Sequence, residues 1–444
     1  MYRRSVCILV CSAIAFAQQS GKQFKPGESD AYNNVTKDLN SNQFQSAVSA
    51  IAGWKQKYPD SDYKNEREAL AVQAWAGVNQ PAKALDAAAP LIAGDLKTLF
   101  PGPEGQAIIL RLLYSAAWAI SRIPNPTPDE ITAGEKAARE LLAWDQPPPG
   151  VPPAKWAEAR TDMQGKANAA LLYLAMLPGI QAMAKQPPDC AAAEAAYSKA
   201  LTQYPEKSIL CYELARALTC EAKQQPEKAP LAIYEFERAA AIDPTLGGAR
   251  TDPKQLQSFA DNTYVKFHGS DEGLAQLKDL AKRAPFPPQG FAIESSAAIA
   301  EEKQAAFDAA NPQIALWMKI RAALLESDGE QYFESELKGA AVPQLSGKLI
   351  DAKPSCHPRE LMIAVPSPDN PDPSKAEIEI KLPAPLRGKP EIGQTLKWKG
   401  VPVAFSKDPF LLTMDAEGAS LEGVKLTPCP LARAGRSPAA AGKR

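Results

Sequence analysis

The sequence predicts a mainly α chain: a helical-hairpin solenoid over most of its length, then a small C-terminal all-β domain. Three observations carry this expectation. Residues 28–340 are rich in Ala, Leu, Glu, Gln and Lys, all strong helix formers. Prolines cut that stretch into pieces of about 12–20 residues, the length of single helices. From about Gly347 the apolar residues switch to alternation, the period of a half-buried strand.

The chain has 444 residues, which suggests two or three domains at roughly 150 residues each. With 45% apolar and 23% charged residues it has ample material for a core, and wholesale disorder is excluded. A net charge of −1 gives no whole-chain field to attract nucleic acid or an anionic membrane, so neither is expected as a partner.

The first residues read as an address. Arg3 and Arg4 precede a short apolar run, Val6 to Phe16, and Ala15-Phe16-Ala17 is a small-x-small cleavage site. This layout predicts a secretory signal peptide over residues 1–17, cleaved after Ala17. A lipid anchor at Cys11 would need a small residue before it, and Val10 is not small. The expected destination is the periplasm or cell envelope. Residues 18–29 read as a linker. The most apolar later stretch, Ala107 to Ile120, is too short to span a bilayer and carries Arg111, so no integral membrane segment is expected after cleavage.

Within residues 30–340 a spacing recurs. Ala193, Tyr197, Ala200 and Pro205 are separated by 4, 3 and 5 positions, and so are Ala232, Phe236, Ala239 and Pro244. Ala47, Ile51, Trp54 and Pro59 repeat it. In this the chain resembles the tetratricopeptide repeat (TPR) family, whose second helix carries small, aromatic, small, then a terminating proline. The chemistry is direct: small residues let helices approach, the aromatic fills the gap, and proline ends the helix. The chain also departs from the family: Pro205 to Pro244 spans 39 residues where the family unit has 34, and the unit at Ala84, Ala88 and Leu91 is weaker. Trp54 stands where the family has Ala, and Cys211 where it has a tryptophan. The resemblance is strong for 189–244, fair for 30–95 and architectural elsewhere. Between 94 and 188 helices are expected near 105–122, 128–144 and 153–185. The proline run Pro147 to Pro153 reads either as a loop on the solenoid or as a border between subdomains, with 146–153 as the possible division.

The resemblance implies a concave groove that takes an extended peptide or a helix. Its lining would include Ile209, Tyr212, Arg216 and Thr219. Tyr212 and Arg216 are one helical turn apart, and both types serve as interface anchors. Alternatively, Tyr212 packs in the repeat core and Arg216 is simply solvated. The paired Lys and Asn of chaperone-tail-binding members do not map onto this chain.

Five cysteines lie beyond the signal segment. Cys190 and Cys220 are each fifteen residues from Pro205, so a helix pair turning there would bring them together. Cys356 and Cys429 bracket the β-rich segment, and a bridge would staple its ends. The alternative is that all five are small buried apolar residues.

The β-domain is expected over 341–430. Ala376, Ile378, Ile380 and Leu382 alternate with charged residues, as do Leu396 and Trp398; further strands are expected at Phe410 to Met414 and Leu421 to Leu426. Gly393, Leu396, Trp398, Gly400 and Val401 resemble the middle of an OB-like barrel, with a β-sandwich as the alternative. Residues 431–444 read as a disordered basic tail.

Catalytic and cofactor motifs are missing from the sequence. The two histidines, His268 and His357, have no metal-ligand spacing, and there is no Gly-rich phosphate loop or nucleophile elbow. The expectation is a non-enzymatic scaffold or interaction protein with a protein or peptide partner and no cofactor. Two other readings stay open: oligosaccharide or cell-wall binding through the β-domain, with Trp398 as a stacking surface, and a hydrolase using paired carboxylates.

Overall fold

The computed structural model describes residues 22–248, 252–367 and 373–429. The predicted signal peptide at 1–17 and the basic tail at 431–444 lie outside the described residues. The chain divides into two units between Ile293 and Glu294.

The first unit is all helical. Its helices are α1 (Glu28–Asn40), α2 (Phe44–Lys57), α3 (Lys64–Gly77), α4 (Pro81–Ala93), α5 (Leu96–Leu99), α6 (Gly102–Ile120) and α7 (Pro128–Ala143). There follow α8 (Pro153–Met183), α9 (Cys190–Gln203), α10 (Ser208–Glu221), α11 (Lys228–Ile242), α12 (Pro253–His268) and α13 (Leu274–Arg283). Most of these helices pack on the next in sequence, and several also pack on the one after that. Their ends follow the local chemistry. Pro128 opens α7 behind Thr127, which forms a capping box with Glu130. Gly269, in the left-handed region, closes α12.

The recurring small–aromatic–small residues are buried: Ala193, Tyr197 and Ala200 on α9, Ala232, Phe236 and Ala239 on α11, and Ala47, Ile51 and Trp54 on α2. They sit in separate apolar clusters, one over α1–α3 and another over α8–α12. The 31-residue helix α8 links two cores. Trp156, Met163 and Ala170 join the cluster centred on α6, while Met176 and Ala182 join the one built on α9–α11. Gly179 lets α9 come close: a Cβ there would lie 2.6 Å from the Tyr197 ring. The proline-rich segment before α8 is a loop between two helices that pack on each other in one core.

The second unit opens with α14 (Ser296–Ala310), α15 (Pro312–Leu325) and α16 (Gly329–Tyr332), followed by a π-turn over Phe333–Leu337. Its strands are β1 (Val342–Lys353), β2 (Glu360–Ala364), β3 (Ile378–Lys381), β4 (Lys389–Pro390), β5 (Thr395–Lys407), β6 (Phe410–Asp415) and β7 (Leu426–Thr427). Five of them form a ring in the order β1-β2-β3-β6-β5, and β5 pairs back on β1. The β3–β6 pair is parallel and the other ring pairs are antiparallel. Strands β4 and β7 make a separate two-stranded sheet. The alternating apolar residues fill the ring: Ile378, Ile380, Leu396, Trp398, Leu412 and Met414 are buried. Trp317, Ile320 and Leu324 of α15 enter the same cluster. The unit therefore begins at Glu294, ahead of the expected strand region at 341, because α15 brings the apolar face that covers the β residues. The stretch Leu421–Leu426, expected as a strand, is mostly irregular and exposed; only Leu426 enters a short strand, and Glu422 makes one bridge to Lys397.

Two disulfides are present, and they are the two pairs the spacing suggested. Cys190–Cys220 ties the start of α9 to the end of α10, and Cys356–Cys429 spans the β-rich segment, each with Cα atoms 5.9 Å apart. Cys211 is free and buried. Among the described residues no helix is long and apolar enough to cross a membrane.

Candidate functional site

Helices α10, α11 and α12 position a row of three aromatic rings. Tyr212 of α10 meets the buried Phe236 of α11 edge-on, with centroids 5.8 Å apart. Phe236 in turn meets Phe259 of α12 at 4.9 Å, again edge-on. Phe259 is 49% exposed, a large apolar ring left facing water. Around this row the expected groove residues take distinct roles. Ile209 and Tyr212 are half-buried against the core, so Tyr212 is neither wholly core nor wholly free. Arg216 is exposed and pairs with Glu213 at 2.8 Å, an ion pair worth little in water. Thr219 donates its hydroxyl to the Ala215 carbonyl at 2.7 Å, one turn back. The four lie at i, i+3, i+7 and i+10 of one helix, and so share a face. Phe259 was not foreseen. The ten residues between Ile242 and Pro253 interrupt the repeat spacing, so nothing in the sequence aligns Phe259 with Tyr212.

Helix α11, which carries Phe236, also buries three ionisable residues, Glu235, Glu237 and Arg238. Arg238 of α11 is almost fully buried; it donates to the Ala281 carbonyl at 2.6 Å and to the Pro205 carbonyl at 2.9 Å. It thereby ties α11 to α13 and to the turn between α9 and α10. Burial pushes the Glu235 carboxyl up to about 8, against the opposing pull of Cys211 and Arg238 beside it. Burial, and then Asp261, push Glu237 up to about 7. The Cys211 thiol is also pushed up by burial, so it stays protonated and is no nucleophile. Glu235 and Glu237 are two positions apart on a helix and cannot face each other across a substrate. Neither lines either cavity described next.

Two cavities are formed by the helices near α6. The larger, about 1180 Å³, is an open trough with Phe100, Ile109 and Trp144 among its apolar lining and Asp95, Lys97, Lys136, Glu140 and Asp145 among its charged lining. Lys136 is already engaged: its Nζ donates to the carbonyls of Ile92 and Gly94, 2.6 and 3.3 Å away, at the end of α4. Trp144 donates its indole N–H to the Gln146 carbonyl at 2.7 Å. The smaller cavity, about 40 Å³, is enclosed by α1, α3 and α6 and is lined by Tyr32, Thr36, Asn40, Glu66, Gln73 and Arg111 among others.

In the second unit Trp398 is fully buried in the ring, so it presents no stacking surface to a sugar or base. Cys356 and Cys429 are bonded to each other, which leaves no thiolate beside His357. His357 contacts the Leu386 carbonyl through Nδ1 at 3.1 Å. His268 lies against the Tyr264 ring. Among the described residues no three His, Cys, Asp or Glu side chains come together as a metal site.

Compared with family models, curated proteins and solved structures, the chain finds no match.

Proposed function

We propose that this chain is an exported, non-enzymatic interaction protein whose TPR-like helical hairpins hold a peptide or protein segment in the periplasm or cell envelope. One observation carries the reading: the Tyr212–Phe236–Phe259 row, which runs over consecutive helices from Tyr212, on one helix face with Ile209, Arg216 and Thr219, to the exposed ring of Phe259. A rigid aromatic base with a polar rim is the usual anatomy of a binding hot spot. Two disulfides in separate units are compatible with an oxidising compartment. The strand order of the ring, with its single parallel pair, supports an OB-like barrel for the second unit. The oligosaccharide alternative loses its aromatic surface to the burial of Trp398, and the hydrolase alternative would have to draw its carboxylates from Asp95, Glu140 and Asp145 of the larger trough.

The test is photocrosslinking in intact cells from a reactive residue at position 212 and, separately, at 259. One and the same protein captured at both positions, and lost on Arg216→Glu, supports the reading. Capture at a control position on α14 alone would sink it.

A further inference from the structure

We propose that the small cavity between α1, α3 and α6 is a binding site for a carboxylate group, with Arg111 as its receptor. Arg111 enters from α6, partly buried, and its Nε donates to the Ala107 carbonyl of the previous turn at 3.1 Å. Among the described residues no carboxylate lies within ion-pair distance of it. The acid on the cavity wall is Glu66, which pairs instead with Lys22. A guanidinium removed from water without a counter-charge is costly, and burial accordingly draws Arg111 below its ordinary pKa.

The geometry selects the ligand class. With Nε engaged, the open side of the fork is the pair of terminal nitrogens, whose parallel N–H groups match the two oxygens of a carboxylate. Asn40 and Gln73 line the same space and supply amide N–H groups for the remaining lone pairs. Size argues the same way. A water needs roughly 10–15 Å³ of such space, so the cavity of about 40 Å³ takes about three water-sized groups, the carbon and two oxygens of a carboxylate. A phosphate or sulfate has five heavy atoms, more than this volume takes, and its greater charge would be repelled more strongly by Glu66 than that of a carboxylate. The carboxylate has two sources: an acidic side chain of a bound polypeptide, or a free short-chain acid. This site stands apart from the Tyr212–Phe259 face, so its failure leaves that reading untouched.

The experiment titrates the full chain by calorimetry with propionate, with propionamide, and with a capped peptide holding one aspartate. Propionate is expected to bind and propionamide not, a comparison that needs no substitution. Arg111→Gln is expected to weaken propionate on the order of ten- to a hundredfold, and Arg111→Lys less, because a point charge replaces the fork. Circular dichroism checks that both variants are folded. Tighter binding of the aspartate peptide than of propionate supports the site with a polypeptide ligand; equal or weaker binding supports it with a free acid. Equal heats from propionate and propionamide, or undiminished binding by folded Arg111→Gln, would overturn it.

Discussion

The indole N–H of Trp54 donates a 2.8 Å hydrogen bond to Glu28 Oε1, and both side chains are buried. The bond ties the first residue of α1 to the last turn of α2. Burial alone would raise the Glu28 carboxyl. The hydrogen bonds from Ser61, Trp54 and the Lys25 amide outweigh it and hold the group below its ordinary 4.5. A lowered folded pKa gives stability that is present above the unfolded value and lost as pH falls through the folded one. Trp54→Phe is therefore expected to cost about 1–3 kcal/mol at neutral pH and less in acid. Urea midpoints at the two pH values check this; an equal cost at both would refute the ionic part.

Glu235 gives the opposite sign. Its folded pKa of about 8 lies above the ordinary 4.5 because it is buried, so between those values the folded chain binds more protons than the unfolded one. Stability of the first unit is expected to fall as pH rises through that window, with Glu237 adding in the same direction. Glu235→Gln should flatten the slope and stabilise the unit at pH 8 by on the order of 2–4 kcal/mol. Melting curves across the pH range read the slope directly.

Each disulfide lies within one unit, so reduction is expected to act unit by unit. The bridge with sequence separation 73 is worth about 4.5 kcal/mol and that with separation 30 about 3.7 kcal/mol on the loop-entropy model. Replacing Cys356 and Cys429 by Ser should lower one calorimetric transition and leave the helical one in place. A uniform shift of both transitions would contradict this.

Phe259 is half-exposed and Phe236 is buried, and truncation should separate their roles. Phe259→Ala is expected to leave stability within about 0.5 kcal/mol while weakening partner binding at least about tenfold. Phe236→Ala should destabilise by about 3–5 kcal/mol. Denaturation and binding measured on the same samples make the comparison.

What could be read in advance followed from local chemistry. Helix formers and prolines placed α6, α7 and α8 close to their observed spans, and the alternation at Ile378 and Ile380 marked β3. Fifteen residues on either side of Pro205 sufficed to pair Cys190 with Cys220. Trp54 departs from the repeat pattern, and only the structure supplies the reason, because its partner Glu28 lies 26 residues away on another helix. Trp317 and Ile320 read as ordinary helix residues, and their attachment to the β residues depends on three-dimensional packing. Arg111 was legible only as the charge that interrupts an apolar run; that no acid among the described residues pairs with it is a matter of tertiary placement.

The ring of five strands has a consequence for how the second unit can be recognised. Every strand in it has a neighbour on each side, so the ring offers no open row of backbone N–H and C=O groups. A partner cannot add itself as a sixth strand, a mode of binding an extended peptide that works through main-chain hydrogen bonds. Whatever docks on the ring must be read through side chains and loops. The same closure denies a second copy a template for strand-to-strand aggregation.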